Sequence, residues 1–307
     1  MEMMKMDTLS LQLMNTDFFI AIPKGKNKNW KERAEKWLQY VAKEWSRFLP
    51  NNELSLLNEL KIGETLQLSS SLYDCLQRAN QYYLQSNGLF SPYLKLQLEQ
   101  QGYNQSFPFK VAKHQSSNVK SISGKPFQFL SNQQVMKLAN QEIDLGGFAK
   151  GYAIETLANW LENEVAPDYG IIDGGGDMKL WSTGEKIWKI GVADPKIIDK
   201  EISYINISTG AIATSNRIFR SWTQNNITKN HLLNGRTGEV AKTDVLQATV
   251  VTSSLCDAEV WAKLCFLIDE SEQQQWFETN CQRNARFIVK EGQEGYWMMT
   301  RGREVVN

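Results

Sequence analysis

The stretch Asp144-Leu145-Gly146-Gly147-Phe148-Ala149-Lys150-Gly151-Tyr152 joins a carboxylate, paired glycines and a lysine in the first turn of a predicted helix. Such a turn suits an anion. Glycines let the backbone come close to a ligand, the free N–H groups and positive end of the helix favour negative charge, and Lys150 adds a full charge. A phosphorylated small molecule is the guest this chemistry predicts, although a plain strand-to-helix turn uses the same residues. A second glycine run, Asp173-Gly174-Gly175-Gly176-Asp177, fits either a hairpin turn or a close backbone approach to a ligand with a carboxylate at each end. Farther along, His231 precedes Asn234-Gly235-Arg236-Thr237-Gly238. An imidazole there suits proton transfer near neutral pH, and a histidine beside a turn is also a common structural residue. Glu259 and Lys263 stand four apart on a predicted helix, the spacing of a surface ion pair.

The elements that must position these groups follow from periodicity. Leu9, Leu11 and Leu13 alternate, then Phe18 to Ile22 run apolar after Asn15-Thr16-Asp17, which predicts an opening hairpin. Trp30, Ala34, Trp37, Leu38, Val41 and Trp45 recur at helical spacing and form the stripe of a helix laid on a sheet. Pro50 with Asn51 and Asn52 breaks that pattern. Leu72, Cys75, Leu76, Ala79 and Tyr83 mark a second amphipathic helix, with Ser69 to Ser71 as caps and Asn87-Gly88 as its end. Tyr103 to Asn140 is rich in Gln, Ser and Lys with weak alternation at Val111, Val119, Ile122, Phe127 and Phe129, predicting short strands and loops away from the functional centre. Ala149, Ala153, Thr156, Leu157 and Trp160 give a helix after the Gly-Gly turn, and strands are predicted at Tyr169–Ile172, Ile187–Val192 and Ala248–Thr252.

Composition narrows the class. A chain of 307 residues that is 42% hydrophobic buries a large core without staples. Its 34 basic and 34 acidic residues cancel, which argues against a nucleic acid partner. Cys75, Cys256, Cys265 and Cys281 are scattered singly, predicting buried thiols rather than zinc or disulfides. The sequence has no run of 18 apolar residues and no signal-like start, so the expectation is a cytoplasmic chain with no membrane-spanning segment, export after processing staying open.

In order and spacing, several blocks together resemble the ApbE family of FAD:protein FMN transferases. They are Met6-Asp7-Thr8, Arg47 through Asn58, Gly88-Leu89-Phe90-Ser91-Pro92, Asp144 through Tyr152, Gly174-Gly175-Gly176-Asp177, Gly210 through Ser215 and His231 through Gly238. The resemblance implies a single α+β domain over residues 1–307, with mixed or antiparallel sheets and packed helices. It implies an enzyme that cleaves FAD with Mg²⁺ and moves FMN to a threonine hydroxyl of an acceptor flavoprotein, with AMP leaving. By position, Met6, Phe48, Leu89, Phe90, Ser91, Asp144, Lys150 and Leu233 correspond to FAD contacts, Gly147 and Glu259 to metal ligands, and His231 to the base.

The sequence departs from the family where the metal is expected. The family run resembles Ala-Asp-Val-Trp-Ala-Thr, and here it is Ala258-Glu259-Val260-Trp261-Ala262-Lys263. Glutamate reaches a cation, but a lysine ammonium cannot coordinate one and repels it. Ser91, Asn216 and Asn234-Gly235 also differ from the usual Asp, Gly and Asp-Pro. The alternative is therefore a homologue that binds or slowly hydrolyses FAD without Mg²⁺-dependent transfer.

Overall fold

The computed structural model describes residues 6–25, 29–110, 124–184, 186–281 and 284–300. Its frame is an eight-stranded sheet in the spatial order Met6–Leu13, Thr16–Pro23, Tyr169–Gly174, Met178–Ser182, Gly210–Asn216, Val245–Thr252, Ala285–Lys290 and Tyr296–Met299. Every neighbouring pair in it is antiparallel. The opening hairpin appears where alternation placed it. Its turn residues Met14 and Asn15 both take positive φ, 51° and 56°, a geometry that follows the twist of the strands.

Seven α-helices are described: α1 (Trp30–Glu44), α2 (Glu53–Glu59), α3 (Ser70–Gln85), α4 (Lys95–Gln100), α5 (Ala149–Trp160), α6 (Leu255–Leu264) and α7 (Glu270–Asn280). Together with the sheets this is the expected α+β class. The Asn52 side chain accepts from Ser55 N–H at 2.7 Å and so caps α2, ending the Pro50 break. Gly88, at φ 81°, turns the chain out of α3.

The sheet buries both faces, and strand alternation sorts the residues between them. Ile20, Ile22 and Ile172 fall in the larger core with the helices, whereas Ala21, Ile171 and Leu180 fall in a smaller one with Val192 and Ile205. The latter two belong to a separate hairpin, Trp188–Ala193 with Glu201–Ile207. All four cysteines are buried and free. No helix among the described residues is long and apolar enough to cross a membrane. The strand segments expected around Val111, Val119 and Ile122 lie outside the described residues.

Nearly every residue of α6 is buried, which corrects the expectation of a surface pair at Glu259 and Lys263. Glu259 sits where α5 crosses α6, only 4% exposed, and its Oε2 accepts the Gly151 N–H at 2.9 Å. A Cβ at position 151 would stand 2.3 Å from that oxygen, so the glycine is what lets the helices meet around the carboxylate.

Candidate functional site

Between the Gly-Gly turn, the N-terminal end of α4 and the segment His231–Leu233 lies a hollow that opens to solvent. Arg47, Phe48, Phe90, Tyr103 and Phe148 line it, together with Asp144, Gly146 and Gly147 of the turn, and Arg220, His231 and Lys263. The turn is shaped from outside. Arg47 Nε pairs with Asp144 Oδ2 at 2.5 Å, and Asp144 Oδ1 accepts the Gly146 N–H at 3.0 Å. The guanidinium is fixed in turn by Tyr103, whose carbonyl accepts from Nη2 at 2.7 Å. It also lies 4.2 and 4.6 Å from the Phe48 and Tyr103 ring centroids, a cation–π arrangement. Among the described residues the Gly147 N–H makes no hydrogen bond, so it is a donor left for a guest.

The opposite wall depends on a close backbone contact. Gly235 N–H donates to the Leu89 carbonyl at 2.8 Å, and a Cβ at Gly235 would stand 2.2 Å from the Gly88 carbonyl oxygen. That fit locks the His231–Gly238 segment against the Leu89-Phe90-Ser91 turn. His231 is half-buried, and its Nδ1 lies 3.4 Å from the Arg220 carbonyl. A carbonyl only accepts, so Nδ1 carries the proton of the neutral ring and Nε2 keeps the lone pair. Burial, reinforced by the nearby charges of Arg220 and Lys263, pushes the His231 pKa down to about 3. In this setting the ligand-free ring is a weaker base than an ordinary imidazole.

Phe48, Phe90, Ser91, Asp144, Gly147, His231 and Leu233 thus meet in one hollow. Lys150 lines an adjoining hollow that shares Arg47, Phe48, Tyr103, Asp144, Gly146 and Arg220 with the first. Its ammonium, however, donates to the Gly174 carbonyl at 2.8 Å and pairs with Asp177 at 2.5 Å. Leu89 packs into the larger core and offers the hollow no side chain. Met6 stands apart, because period-two alternation turns it away from Leu9, Leu11 and Leu13 into the smaller core. The Gly174–Asp177 run is a hairpin turn. Its Asp173 accepts the Gly176 N–H, and Asp177 also accepts the Thr214 N–H.

Sequence reading assigned no role to Arg47, Arg220 or Tyr103. Arg47 carried a signal, standing at the head of its block, whereas Arg220 lies in an irregular connection with none. Tyr103 opens the segment expected to lie away from function, and the structure corrects that by placing it in the wall.

The implied Mg²⁺ can be tested against the donors present. Lys263 reaches Gly147 so closely that a Cβ on the glycine would meet Lys263 Cε at 2.9 Å. Its Nζ lies 3.4 Å from Glu259 Oε1, and the other Glu259 oxygen is held by Gly151. No group of three or more His, Cys, Asp or Glu side chains among the described residues could hold a metal. A hard divalent cation takes six or more oxygens and is repelled by an ammonium in their midst. These residues do not fit it.

The pattern of the ApbE family matches residues 14–287 of the chain. A FAD:protein FMN transferase of Chlamydia pneumoniae is 25% identical over 288 residues, which is 88% of this chain and 88% of the relative. One of Rhodobacter capsulatus is 22% identical over 83% of this chain and 49% of its own length. The crystal structure of the ApbE protein of Thermotoga maritima superposes with a TM-score of 0.79 at 22% identity, covering 97% of each chain.

Proposed function

Since the chain belongs to the ApbE family, we propose that it binds FAD across the two hollows and transfers FMN to a threonine hydroxyl of an acceptor protein. The observation that carries this reading is the convergence in one hollow of aromatic walls, the cations Arg220 and Lys263 beside the Asp144-paired Arg47, the Gly147 turn and His231. A dinucleotide has those needs: apolar surface for its rings and positive charge for its pyrophosphate. In the transfer the threonine oxygen forms a bond to the FMN phosphorus while the bond from that phosphorus to the bridging oxygen breaks. The hydroxyl proton passes to His231 Nε2, and the bridging oxygen leaves on AMP. Lys263, Arg220 and the Gly147 N–H stabilise the charge that builds on the phosphoryl oxygens.

The test is to incubate the protein with FAD and an acceptor carrying the target threonine, and to weigh the acceptor by mass spectrometry. A gain equal to the FMN phosphoester is expected, lost in His231→Ala while FAD binding stays. An unmodified acceptor at every Mg²⁺ level, EDTA included, overturns transfer. The Lys263 ammonium, set against Gly147 and Glu259 where the family resemblance implies a metal ligand, favours a second reading, a chain that holds or slowly hydrolyses FAD. A yellow complex with no adduct would identify it.

A further inference from the structure

We propose that the ammonium of Lys263 does at the Gly147 turn what a divalent cation would otherwise do, so that this chain engages the pyrophosphate of its ligand without metal. The proposal rests on the FAD reading above and adds how the charge is supplied. Lys263 is in the last turn of α6, 14% exposed, and its side chain runs along Gly147 into the hollow. Its Nζ donates once, to the Glu259 carbonyl at 3.1 Å, which leaves donors for a guest. Glu259 beside it, buried at the α5 crossing, holds the ammonium in place by charge.

Three features converge. The ammonium touches the one turn whose Gly147 N–H is unspent, so a phosphate oxygen at that turn meets a backbone donor and a full charge together. Arg220 supplies a second cation on the same hollow, so two positive groups face two phosphates. The Glu259 carboxylate beside Lys263 is already shared between Gly151 and Lys263. A cation entering there would have to expel the ammonium first. A lysine also imposes no coordination geometry, so the substitution trades octahedral order for a point charge that is always present.

FAD titrations of the full chain test this, run in EDTA and again in excess Mg²⁺. Wild-type affinity is expected to agree within about twofold between the two, and Lys263→Met to weaken binding about tenfold in EDTA, with Lys263→Arg keeping most of it. Lys263→Thr combined with Glu259→Asp removes the ammonium and leaves oxygens, and is expected to bind FAD more tightly with Mg²⁺ than in EDTA. Wild-type binding that needs Mg²⁺ overturns this proposal and leaves the FAD reading standing. So does wild-type affinity in a folded Lys263→Met. Failure to bind FAD in both conditions overturns the two together. The comparison of the wild type with and without metal decides the matter whether or not any variant folds.

Discussion

At the Gly146-Gly147 turn, Asp144 is held from outside by Arg47 and the backbone faces the hollow. At the Gly174-Gly175-Gly176 turn, both aspartates are engaged by backbone N–H groups, and Lys150 closes over the loop through Asp177 and the Gly174 carbonyl. Both turns carry carboxylates and repeated glycines, and Lys150 stands in sequence beside the first yet serves the second. Composition supplied the same parts to each. What separates them is where the polar groups are spent: one turn satisfies itself, and the other leaves the Gly147 N–H without a partner among the described residues. Lys150 and Lys263 repeat the contrast, the former consumed by structure and the latter turned into the hollow.

The comparison breaks most sharply at Arg47. Arg47→Met strands the Asp144 carboxylate in a largely buried setting, an event that costs about 3 to 5 kcal/mol. Denaturant unfolding should show that loss and a fluorescence titration should show FAD binding lost with it, since the turn is shaped through Asp144. Stability lost with affinity kept would mean that the turn needs no outside support. Gly175→Ala is the counterpart. Its φ of 70° and a Cβ position 1.9 Å from Thr16 Oγ1 predict about 1 to 3 kcal/mol of strain, with FAD affinity unchanged. A weakened FAD complex would show that the hairpin turn belongs to the site. Lys150→Met should cost about 1 to 3 kcal/mol by leaving Asp177 without its charge partner, again without moving affinity. If it weakens FAD as much as Lys263→Met does, the division between the two lysines fails.

Much of this was legible in sequence, for a definable reason. Local patterns signal local structure: alternation at Leu9, Leu11 and Leu13, the stripe from Trp30 to Trp45, and glycine next to a helix start each act within a few residues. Phe48, Phe90, Asp144, Gly147 and His231 stand in sequence blocks far apart in the chain, and the fold brings them to one hollow. What sequence could not show is which way a group is turned. Lys150 bends back because the Asp177 carboxylate is within reach. Met6 faces the wrong core because one residue of register flips a strand side chain. Glu259 is buried because the helix crossing needs an acceptor for Gly151. Arg220 left no trace, since an isolated arginine in an irregular connection looks like any solvated charge.

The smallest expected effect is also the one that follows the ligand most closely, the charge state of His231. Its folded pKa of about 3 lies below the ordinary 6.5, so as pH falls below 6.5 the unfolded chain takes up a proton that the native ring refuses. Stability therefore declines on this account between pH 6.5 and 3 and is unaffected at pH 7 and above. Asp173 and Asp257, whose carboxyls burial pushes up, act in the opposite sense. The informative quantity is accordingly the difference between wild type and His231→Gln, which should shrink or reverse as the pH falls. A pyrophosphate between Arg220 and Lys263 cancels the repulsion those charges exert on an imidazolium, and so raises the His231 pKa in the complex. Calorimetric titration with FAD near pH 5, in buffers of different ionisation enthalpy, should then show net proton uptake that disappears in His231→Gln. Uptake of the same size in the variant would move the proton to another group, and with it the contrast between a turn that is closed on itself and one whose charges await a guest.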